Sequence, residues 1–318
     1  MRYVFRADAS PSVGAGHVMR SSAIAEEMIL QGEEAIFIGL IVELDWVANR
    51  IKNLGFSKVY SYADEFSPNK DTDVLILDSY SIEIDDPTIN VIKWHSVVAI
   101  VDTVTPNYIC NLRIHPGFDS LTLEGDDTRL LSGAKYIPFR KAIKTRVGKS
   151  VNHSGSLKII VNSGGTDSFG LVSLLAKELQ KMSYEFQAYL FTNSNLPKGF
   201  DHRFKVMPIG PEIDFTAEVA DLVFTTASTS SLEFIARGLP VAILCVADNQ
   251  ESYYNRLHEL GVAIQVGKRN SDQSWELNLN KIQMLVSSRE FRLNLSRRAE
   301  NFIDLAGAAR IVDAIKSL

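Results

Sequence analysis

The chain has 318 residues, 46% of them hydrophobic and 22% charged, with a formal net charge of −5. That balance leaves no basic excess to neutralise phosphates, which argues against a nucleic-acid partner. No apolar run approaches the ~18 residues of a membrane span, which argues against insertion in a bilayer. The length is generous for one hydrophobic core and points to two domains. Cys110 and Cys245 lie far apart and fit no metal-ligand spacing, so buried free thiols are expected.

The first apolar run, Tyr3-Val4-Phe5, reads as a strand, with no signal-peptide core around it; a cytoplasmic location is expected. It leads into Arg6-Ala7-Asp8-Ala9-Ser10 and then Gly14-Ala15-Gly16-His17-Val18-Met19-Arg20. A helical stripe of Ile24, Ala25, Met28 and Ile29 follows and closes at Gly32. Residues 35–38 read as a second strand, and Trp46, Val47, Ile51 and Leu54 as the face of a second helix ending at Gly55. Runs at 74–77 and 97–101 are continuously apolar, hence covered on both faces, and exit into Asp78-Ser79-Tyr80 and Asp102-Thr103. Strands alternating with helices, with polar residues at the strand exits, describe a doubly wound parallel sheet.

From Lys141 to Lys158 the pattern lapses into small and polar residues, a linker, and then restarts. Residues 157–161 form a strand, Asn162-Ser163-Gly164-Gly165-Thr166-Asp167 a turn, and Leu171 to Leu179 a helix. Further strands are expected at 187–191, 205–207, 222–225 and 240–246. The segment from Glu290 to Leu318 reads as two helices broken at Ala306-Gly307, the last packing back across the linker. The expected domains are residues 1–146, carrying His17, and 147–318, holding a nucleotide.

Three stretches carry chemistry. Gly14 and Gly16 permit positive φ and close approach of the backbone to a ligand, and the helix start after them offers N–H groups to an anion. His17 stands there as a general base, its imidazole able to take a proton near neutrality; a local hydrogen bond at a helix start is the plainer alternative. Gly165 and Thr166 sit at an analogous turn, where an ordinary helix cap is again the plainer alternative. The third stretch, Thr225 to Pro240, empties a buried strand into hydroxyl residues. There the small hydroxyl residues and the free amides of a helix N-terminus suit a diphosphate, and Glu233 suits the vicinal hydroxyls of a ribose. A capping box of Ser230 with Glu233 competes with that role. Asn249 and Gln250, after the 240–246 strand, are placed to read sugar hydroxyls, with a cap at Asp248 as the alternative. His115 follows a weaker strand; the other histidines fall in helix or linker context. Asp78 and Asp102 end neighbouring strands, where carboxylates cap turns or hold hydroxyls, and no metal or other cofactor is expected.

Taken together, Arg6 to Ser10, Gly14 to Arg20, Asn162 to Asp167, Ser228 to Glu233, Gly238-Leu239-Pro240 and Asn249-Gln250-Glu251 resemble, in order, the motifs of the nucleotide-sugar hydrolases of pseudaminic acid biosynthesis. More distantly the chain resembles the glycosyltransferases of peptidoglycan lipid synthesis. The resemblance implies an α/β fold of two Rossmann-like domains facing across a cleft (glycosyltransferase-B type). It implies metal-free release of UDP from a UDP-linked diacetamido-trideoxyhexose. His17 would be the base acting on water, and Tyr80 would lie beside the sugar with Gly14, Gly16, Asn249 and Gln250. Gly165, Thr166, Ser230, Ser231 and Glu233 would hold the nucleotide. Ser79, Thr103 and the 112–116 segment differ from that pattern. A glycosyltransferase in surface polysaccharide synthesis, and a non-catalytic sugar-nucleotide-binding protein, are the alternatives. The expected partner is a UDP-sugar, with the oligomeric state undetermined.

Overall fold

The computed structural model describes residues 1–79, 91–102, 110–118, 129–145, 155–195, 199–300 and 302–318. The chain divides into two compact units: Met1–Lys141 with Leu305–Leu318, and Ala142–Asp304. The expected boundary at 146/147 thus falls at 141/142, and the last fourteen residues belong to the first unit.

In the first unit, apolar runs become the strands β1 (Arg2–Arg6), β2 (Glu34–Ile38), β3 (Lys58–Tyr60), β4 (Asp73–Leu77), β5 (Ser96–Ile100), β6 (Leu112–His115) and β7 (Arg129–Ser132). They form one sheet in the order β3-β2-β1-β4-β5-β6-β7, every pair parallel. β4 and β5 are buried at all five positions, as a strand covered on both faces must be. Helices α1 (Gly16–Leu30) and α2 (Asp45–Asn53) make the early crossovers. Val18, Ile24, Ala25 and Met28 of α1 pack into a core with Phe5, Phe37, Val98, Ile100 and Ile114.

The second unit repeats the plan. Its strands are β8 (Leu157–Asn162), β9 (Phe186–Phe191), β10 (Phe204–Met207), β11 (Leu222–Thr226), β12 (Val241–Cys245), β13 (Ile264–Arg269) and β14 (Trp275–Leu277), ordered β10-β9-β8-β11-β12-β13-β14. Only β13 with β14 is antiparallel. Helices α3 (Leu171–Gln180), α4 (Glu212–Val219), α5 (Thr229–Ala236), α6 (Glu251–Glu259), α7 (Leu279–Ser287) and α8 (Arg289–Ala299) accompany them. Leu171, Val172, Leu175 and Leu179 of α3 pack against Ile159, Val161, Leu190 and Phe224 of the sheet.

The final helix, α9 (Gly307–Lys316), returns to the first unit. Ile311, Val312 and Ile315 join the core beneath α1. A Cβ on Gly307 would lie 2.0 Å from the Ile137 carbonyl oxygen, so only glycine permits this approach. No helix among the described residues is long and apolar enough to cross a membrane.

Several elements exceed the sequence expectation. β3, β7, β13 and β14 are short edge or near-edge strands with mixed polarity; α4, α6 and α7 also form. In β13 the run Ile-Gln-Val-Gly-Lys-Arg alternates poorly, because Gly267 stands where a side chain would strike Glu276 O and Leu277 on β14.

Candidate functional site

In each sheet the chain leaves one central strand in one direction and later returns on its other side. Crevices at the carboxyl ends of such strand pairs take ligands in open α/β sheets. The first unit has this switch between β1 and β4, the second between β8 and β11.

After β1 the backbone folds into a tight turn, Gly14 N–H donating to Ser10 O at 2.7 Å. Gly14 takes φ +85°, the left-handed region that favours glycine. Gly16 does not, so the expectation of positive φ at both glycines holds for Gly14 only; Gly16 opens α1 instead, with no side chain capping that end. A Cβ at either glycine would meet nothing within 4 Å.

His17, the second residue of α1, is 6% exposed. Its Nδ1 lies 2.6 Å from Oδ1 of Asp78, the residue that follows β4. Asp78 is wholly buried. Its Oδ2 accepts from Arg20 Nε at 2.8 Å and its Oδ1 from Arg20 Nη2 at 2.6 Å, with Ser21 Oγ at 3.4 Å from Oδ2. Arg20 reaches onward to Asp102, which follows β5, through a short Nη1 contact and a second from Nη2 at 3.4 Å. Burial by itself would raise the Asp78 carboxyl; the charge and hydrogen bonds of Arg20, joined by the His17 bond, outweigh it and hold Asp78 below the ordinary carboxylate range. Burial likewise opposes the Arg20 charge, and the two carboxylates more than restore it.

An ionised carboxylate only accepts, so Nδ1 of His17 carries the proton and donates. The basic lone pair then resides on Nε2. A carboxylate behind one ring nitrogen fixes the tautomer and orientation of an imidazole whose other nitrogen takes a proton.

The hydroxyl-rich site of the second unit is assembled by backbone. Asn162, at the end of β8, holds the next turn through Gly164 N–H to its Oδ1 at 2.8 Å and through its Nδ2 to Gly164 O at 3.2 Å. Gly164 takes φ +95°, and a Cβ there would lie 3.8 to 3.9 Å from the hydroxyls of Ser230, Thr226 and Ser228. The Gly164-Gly165-Thr166 turn therefore lies beside the hydroxyls that follow β11. Asp167 ties the turn to its surroundings, accepting from Ser163 Oγ at 2.9 Å and Thr192 Oγ1 at 3.0 Å. Burial pushes its carboxyl up, against those bonds and the Val172 and Leu171 amides.

Ser228, not Ser230, is the N-cap of α5, and no side chain bonds to that end. The capping-box alternative for Ser230 and Glu233 is thus absent. Ser230 lies one residue inside the helix, beside Gly164, and Glu233 is half-buried on its next turn. Ser231 departs from the expected role: its hydroxyl is fully buried and donates to Ser228 O at 2.7 Å, bracing the helix start from inside. Asn249 and Gln250 lie in a short 3-10 turn after β12, at the same edge of the sheet. Asn249 is exposed, whereas Gln250 Oε1 accepts from Val246 N–H at 3.2 Å and closes its own loop. Tyr80 lies outside the described residues.

The structure thus gathers His17 with Asp78 in one unit, and Gly165, Thr166 and Ser230 at one edge of the other. The partnership of His17 with Asp78 and Arg20 was not anticipated. Arg20 stands three positions after His17, the spacing that puts two side chains on one helix face, and this was the signal available in sequence. His115 ends β6, its Nδ1 3.1 Å from Val101 O and its buried Nε2 without a hydrogen-bond partner among the described residues. Arg113 and Arg140 are buried as well.

No family model matches the chain, and no curated protein matches its sequence. Among solved structures it is similar to MurG from Acinetobacter baumannii, with 13% identity over 100% of both chains and a TM-score of 0.67. It is similar to CalG4, the calicheamicin glycosyltransferase, at 14% identity over 99% of this chain and 97% of that one, TM-score 0.65. The spinosyn forosaminyltransferase SpnP gives 10% identity over 100% of both chains and a TM-score of 0.65. At such identities the likeness shows the fold alone: an α/β chain of two Rossmann-like units, of the glycosyltransferase-B type.

Proposed function

We propose that the chain is a metal-independent glycosyltransferase acting on a nucleotide sugar, with His17 as general base. The observation that carries this reading is the 2.6 Å pair of His17 Nδ1 with the buried Asp78, at the switch point of the first sheet. Nε2 of His17 takes the proton of an acceptor hydroxyl as its oxygen attacks the anomeric carbon, and the bond from that carbon to the diphosphate oxygen breaks. In the second unit the Gly165-Thr166 turn, Ser230 and the start of α5 receive the leaving diphosphate. Glu233 binds the ribose and Asn249 the hexose. Gln250 supports the loop that carries Asn249, and Ser231 the helix start. UDP is the nucleotide of the resembled families. The solved glycosyltransferases of the same fold support transfer over hydrolysis.

A second reading, hydrolysis with water in place of the acceptor, is favoured by the ordered resemblance from Arg6 to Glu251. Here the donor would be a UDP-linked diacetamido-trideoxyhexose, as in pseudaminic acid biosynthesis. One experiment separates the two: purified protein is incubated with a panel of UDP-sugars, with and without sugar acceptors, and free UDP and sugar products are followed. UDP release that requires an acceptor is the expected result. Release to free sugar in water alone selects the hydrolase. Saturable UDP binding with no turnover of any donor rejects both.

A further inference from the structure

The turn that follows β8 is built around one side chain. Asn162 is buried, and its amide meets both polar groups of the Gly164 backbone. Oδ1 accepts the Gly164 N–H at 2.8 Å, and Nδ2 donates to the Gly164 carbonyl at 3.2 Å. Oδ1 also accepts from the buried Thr225 hydroxyl, on the adjacent strand β11, at 3.4 Å. Asn162 therefore joins the end of β8, the end of β11 and the turn that leads to α3. A neutral amide supplies an acceptor and a donor side by side; a carboxylate would set an oxygen against the Gly164 carbonyl.

The remaining polar groups of the turn divide in two. Ser163 Oγ lies 2.6 Å from the Thr166 carbonyl oxygen and 2.9 Å from Asp167 Oδ1. Asp167 also accepts from Thr192 Oγ1 at 3.0 Å and from Val172 N–H at 3.4 Å. The Thr166 carbonyl and the Asp167 carboxylate are thus engaged. The Gly164 N–H is taken by Asn162, whereas those of Gly165 and Thr166 donate to no described residue. Two donors are left over, in a turn that approaches the hydroxyls of Thr226, Ser228 and Ser230 at Gly164, where φ is +95°.

We propose that Asn162 is a positioning residue for the diphosphate. By holding Gly164 through both its N–H and its carbonyl, Asn162 fixes the spacing between the Gly165 and Thr166 N–H groups and the hydroxyls of Ser228 and Ser230, so that both sets reach one anion. The inference rests on the nucleotide reading of this edge and gives Asn162 itself no contact with the ligand.

The test compares UDP with uridine, which keeps the nucleoside and lacks the phosphates, on the full-length protein. Dissociation constants are read by calorimetric titration for UDP and by ligand-observed NMR for uridine. In Asn162→Leu, of similar size but without any of these bonds, UDP should bind about 10–100-fold more weakly while uridine binds as before. In Asn162→Ser the hydroxyl still accepts the Gly164 N–H, as a weaker turn of the same kind, and the loss should stay under about tenfold. Inorganic pyrophosphate, competing with UDP, should follow UDP in both variants. Unchanged UDP affinity in Asn162→Leu overturns the proposal. So do equal losses for UDP and uridine, the mark of a side chain that only stabilises the fold. Should Asn162→Leu fail to fold by circular dichroism, Asn162→Ser decides: a loss confined to UDP and pyrophosphate supports the proposal, and unchanged UDP affinity refutes it. Unmodified protein that binds neither UDP nor pyrophosphate rejects the nucleotide reading and the proposal with it, whereas UDP binding indifferent to residue 162 rejects the proposal alone.

Discussion

His17 and Asp78 are 61 positions apart in the chain and 2.6 Å apart in the fold. Replacing His17 with Asn removes the proposed base and keeps a small polar side chain at the helix start. Turnover should fall by about 10²–10⁴-fold while UDP binding, measured by calorimetric titration, is kept. Asp78→Asn acts on two neighbours at once, because it takes the buried carboxylate from both His17 and the largely buried Arg20 guanidinium. Breaking a buried pair in this way costs about 3–5 kcal/mol, readable as a lower midpoint in urea unfolding. The same carboxylate makes stability depend on pH. Its folded value lies below its unfolded one. Its contribution is therefore complete above the unfolded aspartate value, about 3.9, and is lost as pH falls through the folded value. Asp73, bound by Arg2 at 2.8 and 2.6 Å and by Asn69 N–H, is shifted the same way and adds to this acid sensitivity. Unfolding free energy should thus decline steeply below pH 4, and the decline should be shallower in Asp78→Asn.

Among the elements, α1 and α5 start alike, each following a strand at a switch point with no side chain capping its first turn. Their surroundings differ. α1 carries a buried ionic cluster suited to moving a proton, whereas α5 is ringed by the hydroxyls of Thr226, Ser228 and Ser230 beside Gly164. The strands β1, β4, β8, β11 and β12 were legible because continuous apolar runs ended in polar residues. β7 and β14 were not, because three or four residues of mixed polarity at an edge carry no period that separates a strand from a loop. The placement of α9 depends on one residue. Its first residue, Gly307, lies against the Ile137 carbonyl. Gly307→Ala should overpack this contact and destabilise the first unit by about 1–3 kcal/mol, with faster amide hydrogen exchange in α9 and α1 and none of this change in β8–β12.

Across the whole molecule, the chain returns to its first unit for its last fourteen residues, so each unit's stability depends on a different part of the sequence. Ending the chain after Asp304 removes Ile311, Val312 and Ile315 from the core under α1. At roughly 1.5–3 kcal/mol for each buried aliphatic side chain, the loss approaches the whole stability of an ordinary domain, about 5–15 kcal/mol. Scanning calorimetry of the truncated chain should show the first unit melting earlier and the second nearly unchanged; equal effects on both would contradict the division. By itself the sequence determined the α/β class, the repeated strand–glycine turn–helix plan, and the polar strand exits, because apolar periodicity and glycine turns are local properties of the chain. Only the tertiary structure decided that Asp78 faces His17, that Arg20 joins Asp78 to Asp102, and that Ser231 turns inward. Those facts arise from strand order and from the close approach of segments far apart in sequence, which no local pattern encodes.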